Sequence, residues 1–215
     1  MKKLLWILAI LFMFSMNILA IYLPLNGLST GDLSDKLTTL ITPAGFTFAI
    51  RSVIYIGVLI ISYLFLANKT TLPDKTIRWF IISCIANGLW IIAWHYENLH
   101  LSMILMLVLL GSLIVVDQSI KNLKDLKYYQ IIRNSILLYF GWVQVASLLM
   151  TTIYLIYQLK WIDNQTIWRP LTVLTLAWLI NIAVIWKEKN FMTMLVFLWA
   201  LFGIRSAGAF QYMNW

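Results

Sequence analysis

A chain of 215 residues that is 62% hydrophobic and only 11% charged, with a mean hydropathy of +0.85, is not an ordinary water-soluble domain, which carries about 25% charge. The net charge of +8 does not make it a nucleic-acid binder, because the basic residues fall in short loops and build no face that neutralises many phosphates. The single cysteine, Cys84, lies in an apolar run and excludes a disulfide framework.

The first apolar run, Leu4–Leu25, follows Met1-Lys2-Lys3. It is longer than a secretory h-region of about 7–15 residues and shows no small-residue cleavage pattern, so it reads as a transmembrane helix. The polar stretch from Asn26 to Ala44 carries Leu33, Leu37, Leu40 and Ile41 at helical spacing behind Ser29 and Thr30, which suit N-caps. It reads either as a short amphipathic lid or as a flexible surface loop. From Ile41 to Tyr55 the chain turns from loop to apolar helix: Pro43 fixes φ and keeps Thr42 out of the helical region, Gly45 permits a tight backbone, and Phe46 and Phe48 open the next run. Inside that run stands Arg51, a charge that is costly unless it reaches water, a partner or a ligand.

The later apolar runs are Phe46–Leu66, Trp79–Tyr96, Leu101–Ile120, Ile136–Tyr157, Pro170–Trp186 and Phe191–Ala207. Each approaches the ~20 residues that cross a bilayer, and lipid offers backbone groups no partner, so each is expected to be a helix. The expected fold class is an all-α integral membrane protein with seven transmembrane helices. The stretches Lys69–Arg78 and Asp117–Asn134 read as ordinary connections between spans. With the N-terminus in the cytoplasm, eleven basic residues fall on the inner side: Lys2, Lys3, Lys69, Lys75, Arg78, Lys121, Lys124, Lys127, Arg133, Lys187 and Lys189. Three fall outside, Lys36, Lys160 and Arg169, and with the intramembrane Arg51 and Arg205 they complete the 16. The expectation is therefore N-terminus inside and C-terminal Trp215 outside, with anionic lipid head groups as partners of the loops.

Of the eleven tryptophans, Trp6, Trp79, Trp161, Trp168, Trp186 and Trp215 stand at span ends, where an indole anchors at head-group level. Those inside spans fall into stripes. Asn87, Trp90 and Trp94 share one helical face, as do Tyr139, Trp142, Ala146 and Met150, and as do Phe48, Arg51, Tyr55 and Ser62. Such stripes fit a packed bundle interior with polar glue, or the walls of a pocket between three helices.

Three places resemble the TspO/MBR family of tryptophan-rich sensory proteins and translocator proteins. Thr42-Pro43-Ala44-Gly45-Phe46-Thr47-Phe48 followed by Ile54-Tyr55 is similar to its second-helix signature, Asn87-x-x-Trp90 to its third-helix motif, and Tyr139-x-x-Trp142-x-x-x-Ala146 to its fifth. The departures are Arg51 where the family usually has tryptophan, Leu138 for a proline, Met150 for an asparagine and Ile91 for a serine. The resemblance implies a five-helix bundle over residues 1–157, extended by two helices over 158–215 in one membrane domain, in a bacterial inner membrane. It also implies a pocket below the first loop for a porphyrin, a haem-like tetrapyrrole or a sterol, without a bound cofactor of another kind.

The expected ligand-binding residues are Pro43, Gly45, Phe46, Arg51, Tyr55 and Asn87, together with Trp90, Trp94, His95, Tyr139 and Trp142. No enzyme motif is present, and Phe191–Ala207 holds no lysine for a Schiff base. The expected function is a non-enzymatic receptor or carrier for an amphipathic ring, with Arg51 as anchor for an anionic group. Its candidate counter-charges in the chain are Asp32, Asp35 and Glu97, with nearby tryptophan faces as the uncharged alternative, and Arg205 is expected at similar depth. The alternatives are a small-solute secondary transporter or a structural membrane protein, and a helix anchor for Arg51. Gly111, Gly203, Ala207 and Gly208 fit either a homodimer face or close packing within one chain.

Overall fold

The structure, a computed structural model, describes residues 1–23, 25–28, 30–39, 41–161 and 191–208. The expected span Pro170–Trp186 and the terminal Trp215 lie outside the described residues, which contain helices and no strand. The helices are α1 (Lys2–Tyr22), α2 (Thr30–Lys36), α3 (Ile50–Leu66), α4 (Asp74–His95), α5 (Leu99–Ile120), α6 (Tyr129–Ile153) and α7 (Phe191–Ser206). Five segments are long and apolar enough to cross a membrane: α1, α3 with its preceding turn, α4, α5, and α6 with its π-helical end Tyr154–Gln158. The shorter α7 is also apolar.

Each span buries one stripe and leaves the rest to lipid. In α1 the buried residues Trp6, Ala9, Ile10, Met13, Asn17 and Ala20 recur every three or four positions, while Leu4, Leu8, Leu11, Ile18 and Ile21 are exposed. The exposed apolar faces are what a bilayer covers. α4 packs between α1 and α5, α6 packs against α5, α3 and α7, and the Phe14–Tyr55 edge contact brings α1 to α3. At Gly88 a Cβ would stand 2.5 Å from the Phe12 ring, so glycine there sets how closely α1 meets α4.

Several expectations change. Phe46–Ala49 does not open the second span as α-helix; Gly45–Ala49 is a 3₁₀ turn behind Pro43 and Ala44, and α3 starts at Ile50. α6 begins at Tyr129 rather than Ile136, because Tyr129, Ile132 and Ser135 are buried and the Tyr129 hydroxyl donates to the Lys121 carbonyl at 2.7 Å. The stretch Asp117–Asn134 is therefore mostly helix, with Asp117 on α5 facing Arg133 on α6 at 3.4 Å. Trp6 is not an interfacial anchor: it is fully buried, stacked on Phe80 at 4.4 Å, and donates to the Ser62 hydroxyl at 3.1 Å. An acceptor inside the bundle satisfies the indole N–H that head groups would otherwise serve.

The stretch Asn26–Ala44 forms the lid. α2 buries Leu33 and Ser34 and leaves Asp32, Asp35 and Lys36 exposed. Its ties run to the end of α4, where Glu97 sits at φ 52 and Asn98 caps α5 by accepting from the Leu101 N–H at 3.0 Å. That turn presents Glu97 to Lys36, 2.6 Å away. α7 docks from the other side. The Ala44 N–H donates to the Gly203 carbonyl at 3.0 Å, Trp199 donates to the Thr47 carbonyl at 2.8 Å, and Thr47 fills the space a Cβ on Gly203 would need. Gly203 thus serves packing within the chain.

Candidate ligand-binding site

Two chambers lie between α3, α4 and α6 beneath the lid. The outer one is narrow, a cavity of about 40 Å³. Thr30 and Ser34 of α2 roof it with Pro43, Phe48 and Arg51 line one side, Trp90 and Trp94 another, and Trp142, Ala146, Leu149, Met150 and Ile153 of α6 a third. The inner chamber, about 30 Å³, adjoins it at Arg51, Trp90, Trp142 and Ala146, which border both. Asn17, Tyr55, Asn87, Tyr139, Met106 and Leu109 complete its wall.

The helical period explains how the walls are built. Residues 87, 90 and 94 of α4, and 139, 142, 146 and 150 of α6, recur at three or four positions and so face the same gap from opposite sides. Trp90 and Trp94 lie nearly parallel, with centroids 5.8 Å apart and 14° between planes, while Trp142 meets Phe48 edge to face at 5.8 Å. The result is a flat aromatic wall opposite an aliphatic one.

The polar groups of the inner chamber satisfy one another. The Tyr55 hydroxyl donates to Asn17 Oδ1 at 2.6 Å, Asn17 Nδ2 donates to Asn87 Oδ1 and to the Met13 carbonyl, each at 2.8 Å, and Asn87 Nδ2 donates to the Tyr139 hydroxyl at 3.0 Å. This chain joins four helices. The outer chamber differs. Arg51 makes no hydrogen bond or ion pair among the described residues; its guanidinium lies over the rings of Phe48 at 5.2 Å and Trp90 at 6.0 Å. The buried indole N–H groups of Trp90 and Trp94 have no acceptor among the described residues.

Of the expected site residues, the structure brings Pro43, Arg51, Tyr55, Asn87, Trp90, Trp94, Tyr139 and Trp142 to the chamber walls. Three lie elsewhere. Gly45 is exposed in the turn, and Phe46 packs on Trp199 and Phe202, each at 5.7 Å, so Phe46 serves the docking of α7. His95 is fully buried but holds the lid: its Nδ1 is 2.8 Å from the Ile91 carbonyl, its Nε2 is 3.3 Å from the Thr30 hydroxyl, and its carbonyl accepts from Asn26 at 3.0 Å. Of Arg51's candidate counter-charges, Glu97 is engaged by Lys36, and Asp32 and Asp35 face outward. Arg205 is exposed near the end of α7 and borders neither chamber. The residues missed were Asn17, Thr30 and Ser34. Asn17 had a signal, as the one amide in the apolar run of α1; Thr30 and Ser34 depend on how the lid folds down.

A family model described as TSPO-like protein matches residues 3–212. The chain belongs to the TSPO-like family. This match covers nearly the whole chain, so α7 and the turn it clamps fall within the family's extent as fully as the chamber-bearing helices do. With five helices of spanning length, this TSPO-like protein is an integral membrane protein. No curated relative and no solved structure matches the chain.

Proposed function

We propose that this protein is a membrane receptor or carrier for an amphipathic planar ligand of the porphyrin, tetrapyrrole or sterol kind, held between α4 and α6 beneath the lid. The observation that carries the proposal is the pair of parallel indoles, Trp90 and Trp94, facing Trp142 and the aliphatic face of α6 across two adjoining chambers. Flat aromatic surface binds a planar ring by stacking and by burial of apolar area, and a few polar groups fix its orientation. Among the described residues the chamber walls carry aromatic, aliphatic, amide, phenol and hydroxyl groups and one guanidinium, a set suited to holding an amphipathic ring.

The proposed arrangement in the membrane has seven spans, with the N-terminus in the cytoplasm and the lid outside. It is supported by the basic loops and by α7, whose C-terminal end meets the lid-side turn through the Ala44–Gly203 hydrogen bond, opposite the N-terminus of α1.

The test is a titration of purified protein in lipid nanodiscs with protoporphyrin IX, read by tryptophan fluorescence. Saturable quenching is expected, with affinity reduced about three- to tenfold in Trp90→Leu and Trp142→Leu, as the loss of an aromatic contact implies. Quenching that rises linearly and matches empty nanodiscs carrying free indole would sink the proposal.

A further inference from the structure

The outer chamber contrasts with the inner one: most of its polar groups are donors, and the strongest of them have no acceptor among the described residues. Arg51 lacks a counter-ion among the described residues, and Trp90 and Trp94, each more than nine-tenths buried, leave their N–H groups unpaired. Among the described lining residues, the side-chain oxygen acceptors are the hydroxyls of Thr30, already near His95, and Ser34. A cation at membrane depth and buried N–H groups without acceptors are each costly, and a single occupant bearing an anionic oxygen group removes both costs.

We propose that Arg51, with the indole N–H groups of Trp90 and Trp94, forms a carboxylate site at the junction of the two chambers, so that the ligand class is an apolar carboxylic acid rather than a neutral sterol-like molecule. The body of such a ligand lies against Leu149, Met150 and Ile153, and its acid group meets the guanidinium. The cation–π contacts with Phe48 and Trp90 hold the guanidinium in place in the meantime. Its position on the wall shared by both chambers lets the same group hold an acid whose ring lies in either one. This inference rests on the ring-ligand reading above and narrows it.

The experiment compares protoporphyrin IX with its uncharged dimethyl ester on wild type, Arg51→Gln and Trp94→Phe in phosphatidylcholine nanodiscs, and repeats the acid titration with phosphatidylglycerol added. Arg51→Gln is expected to weaken binding of the acid about ten- to hundredfold and of the ester less than about twofold, the size of a lost charge-assisted hydrogen bond. Trp94→Phe keeps an aromatic ring and removes only the N–H, so a smaller loss, again for the acid alone, is expected even if Arg51→Gln folds poorly. Equal losses for acid and ester, or none for either, overturn the carboxylate site and leave the ring-ligand reading standing. Competition by phosphatidylglycerol overturns it in favour of a lipid phosphate. Saturable binding of neither form to wild type overturns the ring-ligand reading and this site with it.

Discussion

The two chambers share a wall and differ in how their polar groups are used. In the inner one, Asn17, Tyr55, Asn87 and Tyr139 form a chain in which each amide and hydroxyl meets another within 3.0 Å, joining α1, α3, α4 and α6. In the outer one Arg51 and two indoles have no acceptor among the described residues. Without a hydrophobic force between helices in lipid, a satisfied polar network specifies how they pack, so the hydrogen-bonded groups of the inner chamber are chiefly structural. Unsatisfied donors contribute nothing to packing and persist where an occupant from outside completes them.

If that division holds, inner substitutions change stability and outer ones change affinity. The largest stability effect is expected for Asn87→Leu, which leaves Asn17 and Tyr139 each short of a partner and costs about 1–2 kcal/mol. A lowered thermal midpoint in detergent checks it; an unchanged midpoint would mean that the network is incidental. Tyr55→Phe removes a single bond, to Asn17, and is expected to cost about 0.6 kcal/mol on the same measurement. Lys36→Ala breaks the exposed pair with Glu97 and is expected to move stability by less than about 0.5 kcal/mol. Because Thr30–His95 still holds the lid, it should raise the ligand dissociation rate in stopped-flow quenching without abolishing binding. A dissociation rate equal to wild type would mean that the lid is held by its buried contacts alone.

Much of the site was legible because it depends on helical period. Once α4 and α6 are helices, the spacing of Asn87, Trp90 and Trp94 and of Tyr139, Trp142, Ala146 and Met150 puts each set on one face, whatever the neighbours are. What was not legible depends on which surfaces meet. Phe46 belongs to the same motif as Pro43 but points to α7, a partner 145 residues or more away in sequence. Trp6 stands where an interfacial anchor would, and only the arrival of Phe80 and the Ser62 hydroxyl makes it a core residue. His95 stands among the expected ligand-binding residues, yet the fold of the lid spends both ring nitrogens on Ile91 and Thr30. The early start of α6 was hidden by Gln130, Arg133 and Asn134, whose polarity reads as loop although Tyr129, Ile132 and Ser135 form a buried stripe between them.

The claim that the ligand lies between α4 and α6 is tested most directly at Ala146, which borders both chambers. In a Cys84→Ala background, Ala146→Cys should react with a small membrane-permeant maleimide, and saturating protoporphyrin IX should slow that reaction strongly while leaving a cysteine at the lipid-facing Leu107 unaffected. An unchanged rate at position 146 under saturating ligand would contradict the account, because a ring bound in either chamber covers that side chain.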